Sequence, residues 1–246
     1  MSVPHPDWIT PEWPAPRRVR ALITTRAGGV SSGEFASLNL SARVGDDPQR
    51  VARNRAILGA CLPAEPTWVK QVHGKVVIDA AKATPETEAD GLVTRVAGAV
   101  CAVLTADCLP VLLADRAGKT VGIAHAGWRG LAGGIVENTV RAMDVPASDL
   151  IAYIGPGIGP QRYEVGEDVR QAFVSKAPDA AAAFVSRQNG KYLADLQWLA
   201  RQRLAAAGVD EVYGASLCTV SDERFFSFRR NRVTGRMASL VWLEES

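Results

Sequence analysis

AVCAVLTADCLPVLLADRAGKTVGIAHAGWRG, residues 99–130, holds three apolar runs in quick succession. Ala99 to Thr105, Val111 to Ala114 and Thr120 to Ala124 are each too short for an ordinary helix, so they read as buried strands. Gly127 follows the third run, and a helix is expected from about Leu131 to Met143. Upstream, Val19 to Thr25 reads as a strand entering the Gly-rich loop Arg26-Ala27-Gly28-Gly29. Asp47-Pro48 opens a helix to about Leu58, because Asp caps and Pro is tolerated at the first helical position. Thr67 to Val72 and Lys75 to Ala80 read as short strands flanking a turn at His73-Gly74. Downstream, Ile151 to Ile154 is a strand ending in the loop Gly155 to Pro160. Helices are expected near Gly166 to Ser175 and Asp195 to Ala207, then strands near Val212 and from Met237 to Leu243. Strands outnumber helices without strict alternation, which predicts an α+β fold with mixed β-sheets and flanking helices. No repeat or linker divides the chain, so residues 1–246 are expected to form one domain.

The composition is that of a globular protein, 47% apolar and 22% charged. A net charge of +2 gives no reason to expect nucleic acid or an anionic membrane as partner. No stretch approaches the roughly 20 apolar residues of a membrane span, and the N-terminus lacks the pattern of a signal peptide. The four cysteines lie far apart without a CxxC, which encodes neither a disulfide scaffold nor a zinc ribbon. A cytoplasmic location is expected; the sequence sets no oligomeric state.

The chain has three histidines. His5 lies in a Pro-rich leader. His73, His125 and Cys108 each sit at a strand end, two of them beside glycine, where backbones approach ligands closely and side chains are held rigidly. Two imidazoles and a thiolate suit Zn2+, and three protein ligands leave the fourth position open. The same residues also fit a thiol nucleophile, with Cys108 attacking, a histidine as base and Asp107 orienting it. Periodicity does not separate these. Arg26 before Gly28-Gly29 and Arg129 before Gly130 can each meet an oxyanion beside exposed N–H groups. The Gly155–Pro160 loop lacks GxGxxG spacing and reads as a rigid turn. Phe225 to Arg230 alternates like a strand, with its aromatics assigned to the core.

Several longer motifs sharpen this. They are Thr24-Thr25-Arg26-Ala27-Gly28-Gly29-Val30-Ser31, Ser37-Leu38-Asn39-Leu40, Val44-Gly45-Asp46-Asp47-Pro48 and Lys70-Gln71-Val72-His73-Gly74. Thr105-Ala106-Asp107-Cys108-Leu109-Pro110-Val111 and His125-Ala126-Gly127-Trp128-Arg129-Gly130-Leu131 follow. Beyond them lie Ile154-Gly155-Pro156, Tyr163-Glu164-Val165-Gly166, Phe226-Ser227-Phe228-Arg229-Arg230 and Thr234-Gly235-Arg236-Met237-Ala238-Ser239. In this order the chain resembles the laccase-domain family of purine nucleoside phosphorylases, also described as polyphenol oxidases and, in bacteria, as peptidoglycan editing factor. Gln161-Arg162 departs from it, standing where many members carry cysteines.

The resemblance implies zinc on His73, Cys108 and His125, with Cys108 and Asp107 as catalytic groups. It also implies a substrate pocket in which Arg26, Asn39, Gln71 and Arg129 are expected. The implied substrates are a purine nucleoside and phosphate, giving base and ribose 1-phosphate, with adenosine deamination and methylthioadenosine phosphorolysis as related activities. Asp107 or Glu164 would manage protons. Copper is the weaker choice of metal, because reducing dioxygen to water needs further coppers and only His5 remains to bind them. The same residues also suit an amidase that edits a cell-wall precursor, and a non-enzymatic module would instead need four zinc ligands.

Overall fold

The computed structural model describes residues 2–214 and 217–245. Its elements run β1 (Val19–Ile23), α1 (Pro48–Gly59), β2 (Val77–Asp79), β3 (Gly91–Thr94), β4 (Cys101–Thr105), β5 (Leu109–Asp115) and β6 (Val121–Ala126). Then come α2 (Trp128–Gly133), α3 (Ile135–Met143), β7 (Leu150–Ile154), β8 (Glu164–Val165) and α4 (Glu167–Val174). β9 (Phe184–Ser186), β10 (Tyr192–Ala194), α5 (Leu196–Ala206), β11 (Glu211–Gly214) and β12 (Met237–Leu243) complete the chain. Local chemistry sets several boundaries. The Asp47 carboxylate accepts from the Gln49 N–H ahead of α1, and Asp195 accepts from Trp198 N–H ahead of α5.

The expected α+β fold is found. Its central sheet has the order β11-β7-β5-β6-β3-β2, with β11/β7 and β2/β3 parallel and the other pairs antiparallel. A second sheet, β1-β12-β4, is antiparallel throughout. Strand alternation sorts the core. Along β5, Leu109, Val111 and Leu113 pack toward the helices, with Val136 of α3, Phe173 of α4 and Leu204 of α5. Leu112 and Ala114 point the other way and meet Val103 and Val241 of the second sheet. That sheet's far face packs on Leu58 of α1 and on Trp8. Central strands buried on both faces explain why the sequence shows continuous apolar runs there.

Four expectations need correction. The helix from Leu131 to Met143 is two helices, broken at Gly134, whose φ of +98° ends α2 in a left-handed cap. Thr67 to Val72 makes only single bridges, Thr67 to Cys101 and Lys70 to Glu88, and only residues 77–79 of the next run pair as a strand. Apolar, β-branched character alone does not supply a ladder partner. Phe225 to Arg230 is a series of turns: Phe225 and Phe226 are core, whereas Phe228 is 42% exposed. Strand β3 and the small sheet β8-β10-β9 escape the sequence patterns because their strands have two to four residues. No helix among the described residues is long and apolar enough to cross a membrane.

Candidate metal centre

Antiparallel pairing brings the site together. Leu109 at the start of β5 pairs with Ala126 at the end of β6, and Pro110 pairs with His125. The β4–β5 turn carrying Cys108 and the connection into α2 therefore meet at one end of the sheet. Gly91 of β3 pairs with Ala124, so Asp90 lies beside His125, whose N–H donates to the Asp90 carbonyl at 2.7 Å. His73 arrives on the loop before β2. The ligand atoms of His73, Cys108 and His125 all lie within 4.8 Å of one another. The two imidazole rings meet edge to face, with centroids 4.8 Å apart.

Asp90, which the sequence reading did not single out, organises the cluster. It is fully buried. One carboxylate oxygen lies 2.7 Å from His125 Nδ1 and accepts from the His73 N–H at 3.0 Å. The other accepts from Val72 and Gly74 N–H at 3.1 and 2.6 Å. Burial opposes ionisation of Asp90, but the bonds from His125 and the loop N–H groups outweigh it and hold the carboxyl below its ordinary range. An ionised acceptor places the Nδ1 proton on His125, leaving Nε2 for the thiol or a metal. The three converging N–H groups form an anion nest, which sustains a left-handed backbone at His73, φ 58°. That conformation costs a non-glycine residue on the order of 1–2 kcal/mol.

Burial also opposes ionisation of Cys108, yet the facing His125 and His73 bring its thiol down to about 6. Reciprocally, burial would lower His125, but Cys108 and Asp90 raise it to about 9. Without a metal, each group thus favours the charged form of the other, thiolate beside imidazolium. Gly127 gives the cluster room. A Cβ there would stand 2.8 Å from Cys108 Sγ and 3.1 Å from His73 Cδ2.

The other expected residues take different places. Asp107, at φ 88°, does not orient an imidazole, the role Asp90 takes. Its oxygens accept from Thr219 Oγ1 and from Arg229 N–H, both at 2.6 Å, tying the turn to the 219–229 loop. Gln71 clamps Leu104 through two amide–backbone bonds of 2.8 and 2.9 Å. Asn39 is buried, and its amide is used on Ser41, Asp46 and Arg236 N–H, leaving it no polar group for a ligand. Arg26 donates its Nε–H to the Ala36 carbonyl at 2.7 Å and lies over Phe226. Arg129 is exposed, stacked on Trp128. Glu164 is exposed, and its carbonyl accepts from Arg229. Sequence reasoning passed over Tyr163, Arg229 and Arg236, although all three stand in the quoted motifs. Arg229 lies over the Tyr163 ring. Burial, and secondarily the Cys108 charge, push the Tyr163 phenol well up, so it stays a neutral O–H.

The family model described as multi-copper polyphenol oxidoreductase laccase matches residues 20–244. The chain belongs to this family. Among its relatives, a purine nucleoside phosphorylase of Pseudomonas aeruginosa is 50% identical over 97% of this chain and 99% of its own. The Escherichia coli purine nucleoside phosphorylase YfiH is 49% identical over 96% and 98%. The crystal structure of the Neisseria meningitidis protein NMB0706 superposes with a TM-score of 0.94, 51% identity and coverage of 97% and 100%. That of YlmD from Geobacillus stearothermophilus gives 0.87 at 35% identity, covering 93% of both chains.

Proposed function

We propose that this laccase-family member is a zinc-dependent purine nucleoside phosphorylase, with adenosine deamination and methylthioadenosine phosphorolysis at the same site. The names of its relatives support the first activity. The observation that carries the zinc reading is the donor set. Two imidazoles and a thiolate converge, and among the described residues no fourth His, Cys, Asp or Glu donor joins them. His73, Cys108 and His125 would hold the ion, and the Asp90–His125 bond is the outer support a histidine ligand needs. The family's multi-copper description fits less well, because beyond His73 and His125 the chain offers only His5.

When bound, zinc would supply a Lewis acid for a substrate oxygen. The chain's own groups do the rest. Phosphorolysis joins a phosphate oxygen to the ribose anomeric carbon as the bond from that carbon to the base nitrogen breaks. The departing base takes up a proton. Asp90 fixes His125, and through the nest it fixes His73, so the cluster is organised before substrate arrives. Arg129 and Arg229 bring positive charge to Tyr163, opposite the negative Cys108 and Asp107. Tyr163 keeps its proton and can hydrogen-bond a sugar or base oxygen.

The test is inosine turnover by zinc-loaded protein with and without phosphate. Hypoxanthine and ribose 1-phosphate in equal amounts, only when phosphate is present, are expected. Phosphate-independent release of base, or no release, overturns phosphorolysis. Ammonia from adenosine measures the deaminase activity separately.

A further inference from the structure

We infer that Arg236 is the residue that binds the oxyanion co-substrate, which deepens the phosphorylase reading and rests on it. The antiparallel register pairs Met237 with Thr105, so Arg236 falls opposite Ala106, two residues before Cys108. The backbone is pinned there, since Arg236 N–H donates to Asn39 Oδ1 at 3.0 Å. The guanidinium is held on one side only. Its Nη1 donates to the Thr234 and Gly235 carbonyls, each at 2.9 Å, while the plane lies over Phe228, 5.9 Å from the ring centroid. Among the described residues Arg236 has no carboxylate partner, and its Nε and Nη2 make no hydrogen bond to protein. Burial lowers its pKa, and the charges of Cys108 and Asp107 act against that, which places the cation in the field of the cluster. It remains charged throughout.

The neighbouring arginines are held differently. Arg26 spends its Nε on Ala36. Arg230 Nη1 serves the carbonyls of Thr219 and Val220, and its Nη2 that of Phe225. Arg229 donates to Glu164. Arg129 is exposed on a short helix. Arg236 combines partial burial, a fixed backbone and a free two-nitrogen edge in the field of the cluster, the arrangement that takes a tetrahedral oxyanion by two parallel bonds. The exposed Phe228 then acts as a positioning residue, its ring stacked with both Arg236 and Arg232.

The experiment titrates zinc-loaded protein with inorganic phosphate by calorimetry, and separately measures KM for phosphate and for inosine. Arg236→Ala should weaken phosphate binding and raise the phosphate KM by roughly 10- to 100-fold. Zinc content should be retained and the inosine KM should move by less than about threefold. Arg236→Lys keeps the charge but loses the fork, and should fall between Ala and wild type. Unchanged phosphate affinity in either folded variant overturns the assignment. So do equal losses for phosphate and inosine, or a wild-type protein that binds no phosphate. If phosphate binding depends on Arg236 but no nucleoside turns over, the oxyanion site stands and the phosphorylase reading falls. If turnover needs phosphate but ignores Arg236, the reverse holds.

Discussion

The two histidines of the cluster are built in opposite ways. His125 is the penultimate residue of β6, 3% exposed and locked into the central sheet. His73 is exposed on a loop, in a backbone conformation its own side chain disfavours. One residue serves both. Asp90 grips the ring of His125 and the backbone of His73. A rigid histidine and a strained one thus share a single buried support, and the strain is tolerated because the carboxylate over-determines the loop.

Removing the shared support should have the largest effect. Asp90→Ala leaves the loop N–H groups and His125 without their acceptor, and should destabilise the protein by about 3–5 kcal/mol. Urea unfolding with matched zinc analysis would register both this and the loss of metal. A loss below about 1 kcal/mol would mean that the nest is incidental.

The ligands themselves should separate next. His125→Ala strands the buried Asp90 carboxylate and should cost about 1–3 kcal/mol in metal-free protein. His73→Gly should do the reverse, gaining up to about 1 kcal/mol by relieving the left-handed backbone while losing the metal. Equal destabilisation by the two substitutions would erase the proposed asymmetry.

Gly127→Ala tests the packing between them. The added methyl collides with Cys108 Sγ and His73 Cδ2, while the glycine's own φ of −69° is open to any residue. Zinc affinity should fall by roughly 10- to 100-fold, read by chelator competition, with the fold intact. Undiminished affinity would show that the loop of His73 yields freely.

The smallest effect concerns charge. In metal-free protein, alkylation of Cys108 should follow a pH curve with its midpoint about 6, because the thiolate is stabilised by the facing imidazoles. His125→Ala should move that midpoint upward, and His73→Gly should move it less, since His125 acts more strongly on the thiol. A midpoint near an ordinary thiol in the parent protein would remove the electrostatic part of this account.

How much of this the sequence discloses depends on how local the signal is. Strands β4, β5 and β6 are legible in residues 99–130 because burial on both faces writes continuous apolar runs. His73, Cys108 and His125 stand out as chemically rare residues, two of them next to buried apolar runs and His73 beside glycine. Asp90 does not, since Glu88-Ala89-Asp90 looks like any acidic loop and its role arises from β3–β6 pairing. Arg236 is equally silent, because the register that sets it near Cys108 joins residues more than a hundred apart. Arg26 sits in the more conspicuous Gly-rich motif, yet the structure gives its Nε to a carbonyl.

The most direct test of the central claim is the metal content of purified protein and of His73→Ala, Cys108→Ala and His125→Ala, by mass spectrometry after dialysis. About one zinc per chain is expected in the parent protein and well under half that in each variant. Full zinc in any one of the three, or copper in its place in the parent, would contradict it.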